Sequence, residues 1–429
     1  MEVREFLRVK IISLAARARR LARIDRQSVG IRPQDLPYAP SPDHFSAAND
    51  RLAQIDREVV RRLQTLRSNW QDVPVQRVLA EMALVEREID RARRSWGLFF
   101  EVFSQRGSAF APVLAAHDVI AADCYDAAGA AVPGVLHRRR LKPLTYMQHS
   151  ASPATWRAGI HLSRLLGEAV PFALIRIPWD RDNPWQGVFL HEVSHNLQAD
   201  LGIWQENRAA VLSRLIRVSR DPGLAQIYTR WHKEIFADLS ALLLGGPAAA
   251  WALAIFLAHP LPRAATYRPD GPHPTGYIRV LILAEMLRRM GFAKEGARLQ
   301  RVWRRLYDVR HFNRLPPRLL GTAPELIRHV VDEIAFQTRR NLAQHALADV
   351  IPFRQGDEEA IHHAAERLAA GRPPPAGLPP RHLVSAASYA LATGRIRPQA
   401  LSELAVERLV TSYSPKVPRL ESARMALAA

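Results

Sequence analysis

The sequence predicts a mainly α protein with one small β-sheet, an α+β chain whose strands are confined to a single short stretch. Three observations predict it. Apolar residues recur at alternating steps of three and four along most of the chain, the period of a half-buried helix. Short β-like runs bounded by prolines occur only between about residues 141 and 182. Glycine and proline clusters fall between these segments rather than inside them.

The first 100 residues read as long helices. Leu7, Ile11, Leu14, Ala18 and Leu21 form one stripe. Leu52, Ile55, Val59, Leu63, Leu66 and Trp70 form a second, and Val75, Val78, Met82, Val85, Ile89, Ala92 and Trp96 a third. The spacing is a coiled-coil-like seam. Pro74 suits the first turn of a new helix, so residues 46–96 read as an antiparallel hairpin. The seam fits a partner in the same chain or in another, which makes a helical partner or an oligomer through residues 46–96 an expectation. Ile31–Pro42, with four prolines, reads as an extended connector. Residues 98–128 give a further helix ended by Gly129. Leu144–Met147 and Pro171–Pro178 are the β-like runs. Beyond 183 the chain is helical again, and the Pro-rich stretch 371–380 is a linker before two short helices near 382–393 and 398–412. The expected organisation is a helical N-terminal region over 1–140, a metal-binding domain over 141–345 and a helical C-terminal segment over 346–429.

The chain of 429 residues carries 60 Lys and Arg against 41 Asp and Glu, a formal charge of +19. Only five of the 60 are lysines (Lys10, Lys142, Lys233, Lys294 and Lys416). So strong an arginine skew resembles a coding bias, and the charge is spread along the chain. A nucleic-acid surface concentrates charge on one face, so nucleic acid is not the expected partner. One cysteine, Cys124, excludes an internal disulfide and an all-cysteine zinc site and favours a reducing compartment. No secretory signal pattern is visible, and the expected location is the cytoplasm. Leu239 to Ala258 is uncharged and long enough to span a bilayer, but Gly245, Gly246 and Pro247 interrupt it. It reads as two buried helical pieces around a turn, and a membrane partner is not expected.

His191-Glu192-Val193-Ser194-His195 is a HExxH pattern. On a helix the histidines at i and i+4 share a face and can share a Zn²⁺, with the Glu at i+1 beside the water that the metal activates. Asn183 and Pro184 read as the cap and first turn of this helix, and Gly202 follows its last apolar residue, Leu201. A second helix, started by Asp221-Pro222 and ended by Gly245-Gly246, carries Glu234 and Asp238 on one face. A catalytic zinc needs a third protein ligand, which Glu234 supplies, and leaves a fourth position open. Asp238 suits the supporting hydrogen bond to the outer nitrogen of a ligating histidine. The loop His273-Pro274-Thr275-Gly276-Tyr277-Ile278-Arg279 precedes an apolar helix. It is either a plain helix entry or a source of oxyanion support through His273, Tyr277 or Arg279.

Taken together, HExxH, then Glu-x-x-Ala-Asp, then His-Pro-x-x-x-x-Arg before an aliphatic residue resembles the gluzincin metallopeptidases. The pattern is most like the branch containing the CAAX-processing protease and the bacterial heat-shock membrane protease. The resemblance covers about residues 172–290. It implies a zincin-like core in which His191, His195 and Glu234 bind zinc, Glu192 is the general base, and His273 and Arg279 line the active site. It further implies that Phe172–Ile177 is the sheet edge on which an extended peptide docks. Those relatives are membrane-embedded and lack the N-terminal hairpin. The expected activity is zinc-dependent hydrolysis of peptide bonds in a peptide or protein substrate. The rival reading is an interaction protein with a structural or vestigial zinc and a basic helical arm. Glu192 separates the two, since a structural zinc has no use for a carboxylate there and takes four protein ligands.

Overall fold

The computed structural model describes residues 2–136, 141–150, 154–157, 169–180 and 182–413. His137 and the three arginines after it, which in sequence alone read as a solvated turn, lie outside the described residues. The described chain is mostly helical, with one three-stranded sheet. It divides into two compact units, Met1–Val119 with Val406–Ala429, and Ile120–Ala405. The boundary falls at 119/120, and the chain from 346 to 405 belongs to the second unit.

In the first unit the three apolar stripes become α1 (Val3–Leu21), α2 (Pro42–Asn69) and α3 (Val75–Ser104). The seam of the hairpin faces α1. Leu7, Ile11, Leu14 and Ala18 pack with Val59, Leu63, Leu66, Val78, Met82, Val85 and Ile89 in one buried cluster. The connector is not extended throughout, because Pro33–Tyr38 closes a 3₁₀ helix braced by the bonds of Asp35 to Arg32. The expected helix over 98–128 is two elements. The hairpin helix runs on to Ser104, and α4 (Ala111–Ala131) follows a break that contains Gly107 and Ser108.

The second unit holds the sheet and the motif helices. Strands β1 (Leu144–Met147), β2 (Ala154–Trp156) and β3 (Leu174–Ile177) lie in the order β1-β3-β2. β3 runs parallel to β1, with Leu144 opposite Leu174, and antiparallel to β2, with Thr155 opposite Ile175. This corrects the expected docking edge. Phe172–Ile177 contributes the central strand, with both its edges paired, and among the described residues the free edges belong to β1 and β2. Leu174, Ile175 and Ile177 are buried, as a strand covered on both sides requires.

Helices α5 (Val188–Asp200), α6 (Trp204–Ser219), α7 (Pro222–Leu257), α8 (Leu261–Ala265) and α9 (Gly276–Arg289) follow. Beyond them come α10 (Ala293–Leu306), α11 (Pro317–Val331), α12 (Leu347–Val350), α13 (Gln355–Ala369), α14 (Pro380–Ala392) and α15 (Pro398–Tyr413). α5 starts later than its sequence signals. Asn183 accepts a bond from the Gln186 N–H in a separate turn, and Gly187 stands at the cap. At the other end Gly202 takes the left-handed conformation, φ 68°, as its position after Leu201 predicts. The Asp221 carboxylate accepts from the N–H groups of Gly223 and Leu224 at 3.0 and 3.3 Å, and so caps α7.

α7 is the one described helix long and apolar enough to cross a membrane, and 78% of its most apolar stretch is buried inside the protein. Its two pieces meet at Gly246, whose φ of 65° and ψ of −155° belong to a region only glycine enters freely. A Cβ there would also run into the Phe353 ring. Gly246→Ala therefore combines backbone strain with overpacking. It is expected to cost about 2–5 kcal/mol of unfolding free energy, read by denaturant titration; a loss below 1 kcal/mol would show that the kink relaxes.

Candidate metal centre

Three helices deliver the site. α5 carries His191, Glu192 and His195. α7 carries Glu234 and Asp238, and the loop into α9 carries His273. Gly245 lets α7 approach Leu190 of α5 closely, which brings the two motif faces together. Thr275 caps α9 by accepting from the Ile278 N–H at 3.2 Å, and this fixes Arg279 in the first turn.

The imidazole Nε2 of His191 lies 3.5 Å from one oxygen of Glu234, and that of His195 lies 3.3 Å from the other. One ligand atom from each of the three residues falls within 4.8 Å of the other two. Tetrahedral ligands at zinc-like bond lengths stand roughly 3.3–3.5 Å apart, so the donor set fits a metal ion. His191, His195 and Glu234 can hold one.

The Asp238 carboxylate accepts from His191 Nδ1 at 2.9 Å, which leaves Nε2 facing Glu234. Asp238 is in turn gripped by Arg279, with Nε and Nη2 at 2.8 and 2.6 Å. Arg279 is 7% exposed and spends two donors on Asp238; its Nη1 reaches Glu234 at 4.0 Å, and its Nη2 lies 3.5 Å from His191 Nδ1. It is a buried brace behind the ligands. His195 has no such support, since its Nδ1 is buried without a hydrogen-bond partner.

His273 does reach the group. Its Nε2 lies 3.4 Å from Glu234, and its side chain is 59% exposed, so it stands at the mouth. Tyr277 stands in the first turn of α9, where burial pushes its phenol up and the nearby Arg304 opposes that. Residues at i and i+2 on a helix point about 200° apart, so Arg279 and Tyr277 cannot both face the metal group. Cys124 is buried, and burial pushes its thiol up.

The electrostatics sort the ligands. Burial works against a charge on His191, but the hydrogen bonds to Asp238 and Glu234 overcome it and raise its pKa to about 9. Burial and the neighbouring His191 drive His195 down to about 3, which makes it a neutral ligand at pH 7. Glu234 is desolvated too, yet its bond to His191 and the facing histidines hold it well below the usual carboxylate range. The carboxylates that hold a proton on His191 equally favour a bound cation. Glu192 is pushed up to about 7, first by burial. At pH 8 Glu192 is ionised while His191 still carries its proton. Metal binding at pH 8 is therefore expected to release about one proton, read by calorimetry in buffers of different ionisation enthalpy. Release of none would show that His191 is already neutral before the metal binds.

Three contributors escaped the sequence reading. Arg176 of β3 acts electrostatically on Glu192. Thr155 of β2 accepts from Asn196 Nδ2 at 2.5 Å, which ties that edge strand to α5. Arg157, just after β2, acts electrostatically on both His195 and Glu234. No local pattern marks any of them, because each meets the site only through the fold. Comparison with protein-family models, with curated proteins and with solved structures finds no significant match to this chain.

Proposed function

We propose that the protein is a zinc-dependent peptidase with a zincin-like core. The observation that carries this reading is the convergence of His191 and His195 on the Glu234 carboxylate, with the buried Glu192 next to His191 in the same helix. Zinc held there would polarise a scissile carbonyl and acidify a water. Glu192 takes a proton from the attacking water and passes it to the leaving amine. Burial suits it to that task, since a base works best with a pKa near the operating pH. His273, exposed at the mouth, is placed to donate to the developing oxyanion. Asp238, held by Arg279, keeps His191 in the tautomer that presents Nε2. The free side of β2, the edge strand tied to α5, is where an extended substrate would add by backbone bonds.

The test is a mixed peptide library incubated with the full-length protein and read by mass spectrometry. Products are expected that disappear when a chelator removes the metal and return with added zinc. Products that persist with no bound metal would remove the reading.

A further inference from the structure

Beside the metal group the positive charge does gather. Trp204 opens α6, and two cations sit against its indole: Lys233 with Nζ 3.3 Å from the ring centre, and Arg157 with its guanidinium carbon at 4.1 Å. Arg208 and Arg230 join Trp204, Lys233, Thr229 and His232 around a cavity of about 490 Å³ between α6 and α7. Among the described residues none of Arg157, Arg208, Arg230 and Lys233 forms an ion pair. Some exposed arginines elsewhere are matched locally, as in Arg61 with Glu58, Arg93 with Asp90 and Arg310 with Asp308.

Lys233 and Arg157 at the ring, with Arg208 and Arg230 lining the same cavity, are like charges held close together and repel one another. Glu234, the residue after Lys233 in α7, already faces His191 and His195. An arrangement that breaks local electrostatic sense without internal compensation marks a place where a ligand supplies the missing charge. Lys233 precedes Glu234 in α7, and Glu234 acts electrostatically on both Lys233 and Arg157, which sets the pocket near the metal group. A substrate carboxylate a short way along the chain from the bond at the metal would bring its charge toward these cations.

We propose that the cavity lined by Trp204, Arg208, Arg230 and Lys233, with Arg157 at its metal side, binds a carboxylate of the substrate and directs the site to acidic peptides. The substrate side of this statement rests on the peptidase reading above; the anion pocket does not. The carboxylate has two sources, an acidic side chain or the C-terminus of the peptide.

The test uses three fluorescent decapeptide pools without other acidic residues: one amidated with a central Glu, one amidated with Gln there, and one with Gln and a free C-terminal carboxylate. Binding is measured to the full-length Glu192→Gln protein, so that the probes survive. At least one carboxylate pool is expected to bind tenfold or more tightly than the neutral pool at low salt, with the margin shrinking as salt rises. Which pool gains identifies the source. Arg208→Gln with Lys233→Gln, both at partly or fully exposed positions, should reduce the margin below threefold at unchanged metal content. Should that pair misfold, Arg157→Gln alone is expected to reduce the margin at least threefold. Equal binding of all pools, or a margin that survives in the folded variants, would overturn the pocket. Selective binding without any cleavage by the wild type would instead remove the peptidase reading and leave the pocket standing.

Discussion

The protein is expected to hold about one zinc per chain, and alanine at His191, His195 or Glu234 is expected to strip most of it. Each residue offers one of the three donor atoms that come within 4.8 Å of one another, so each change leaves only two protein ligands. Loss of a residue that merely supports a ligand weakens metal binding roughly 10–100-fold, and loss of a ligand must cost more. The three changes differ in what they do to the fold. His191→Ala leaves Asp238 paired with Arg279, so no buried charge is orphaned. Glu234→Ala removes the acceptor that faces three histidines and Arg279, and its folding should be checked first. Elemental analysis of the purified variants decides the matter. Unchanged zinc in all three would end the site assignment, and a different metal in the parent would keep the site while correcting the ion.

The parts of this protein legible in its sequence are those written in short-range periodicity. The 3/4 spacing of Leu7 to Ala18 and of Val78 to Ile89 marks helices that the structure closes into one core. The HExxH spacing and the i, i+4 pair Glu234 and Asp238 are equally local, and both lie on helices, although α5 starts after Asn183-Pro184 and α7 continues past Gly245-Gly246. What resisted reading depends on long-range pairing. β2 is only three residues long, too short for a propensity signal, yet it takes one edge of β3 and turns an expected edge strand into a central one. Arg157, Trp204 and Lys233 come from three separate segments and meet only in the folded chain. Tyr277 and Arg279 are two residues apart in sequence, but on a helix that places them about 200° apart, so the side chain of Arg279 that grips Asp238 and that of Tyr277 leave the helix on different faces.

Glu192→Gln is expected to keep the metal and the fold while losing hydrolysis by about 10²–10⁴-fold, the usual worth of a general base. The amide nearly matches the carboxylate in shape, so packing around a residue 8% exposed should hardly change. Stability should not fall, because burial already pushes the Glu192 carboxyl up to about 7 and a neutral side chain avoids that desolvation. Gln cannot accept a proton at neutral pH, so the attacking water keeps its own. The pH profile adds a second readout. A raised carboxyl works as a base only above its pKa, so wild-type activity should fall as pH drops through the acid limb. A bound divalent cation favours the ionised carboxylate, which moves that limb below 7. The small residual activity of the variant should lack the limb altogether. Equal cleavage of the peptide library by both proteins at equal zinc content would place the activity elsewhere. Loss of zinc along with activity would instead make Glu192 part of what holds the metal, and the base would have to be sought among the other groups at the mouth, His273 first.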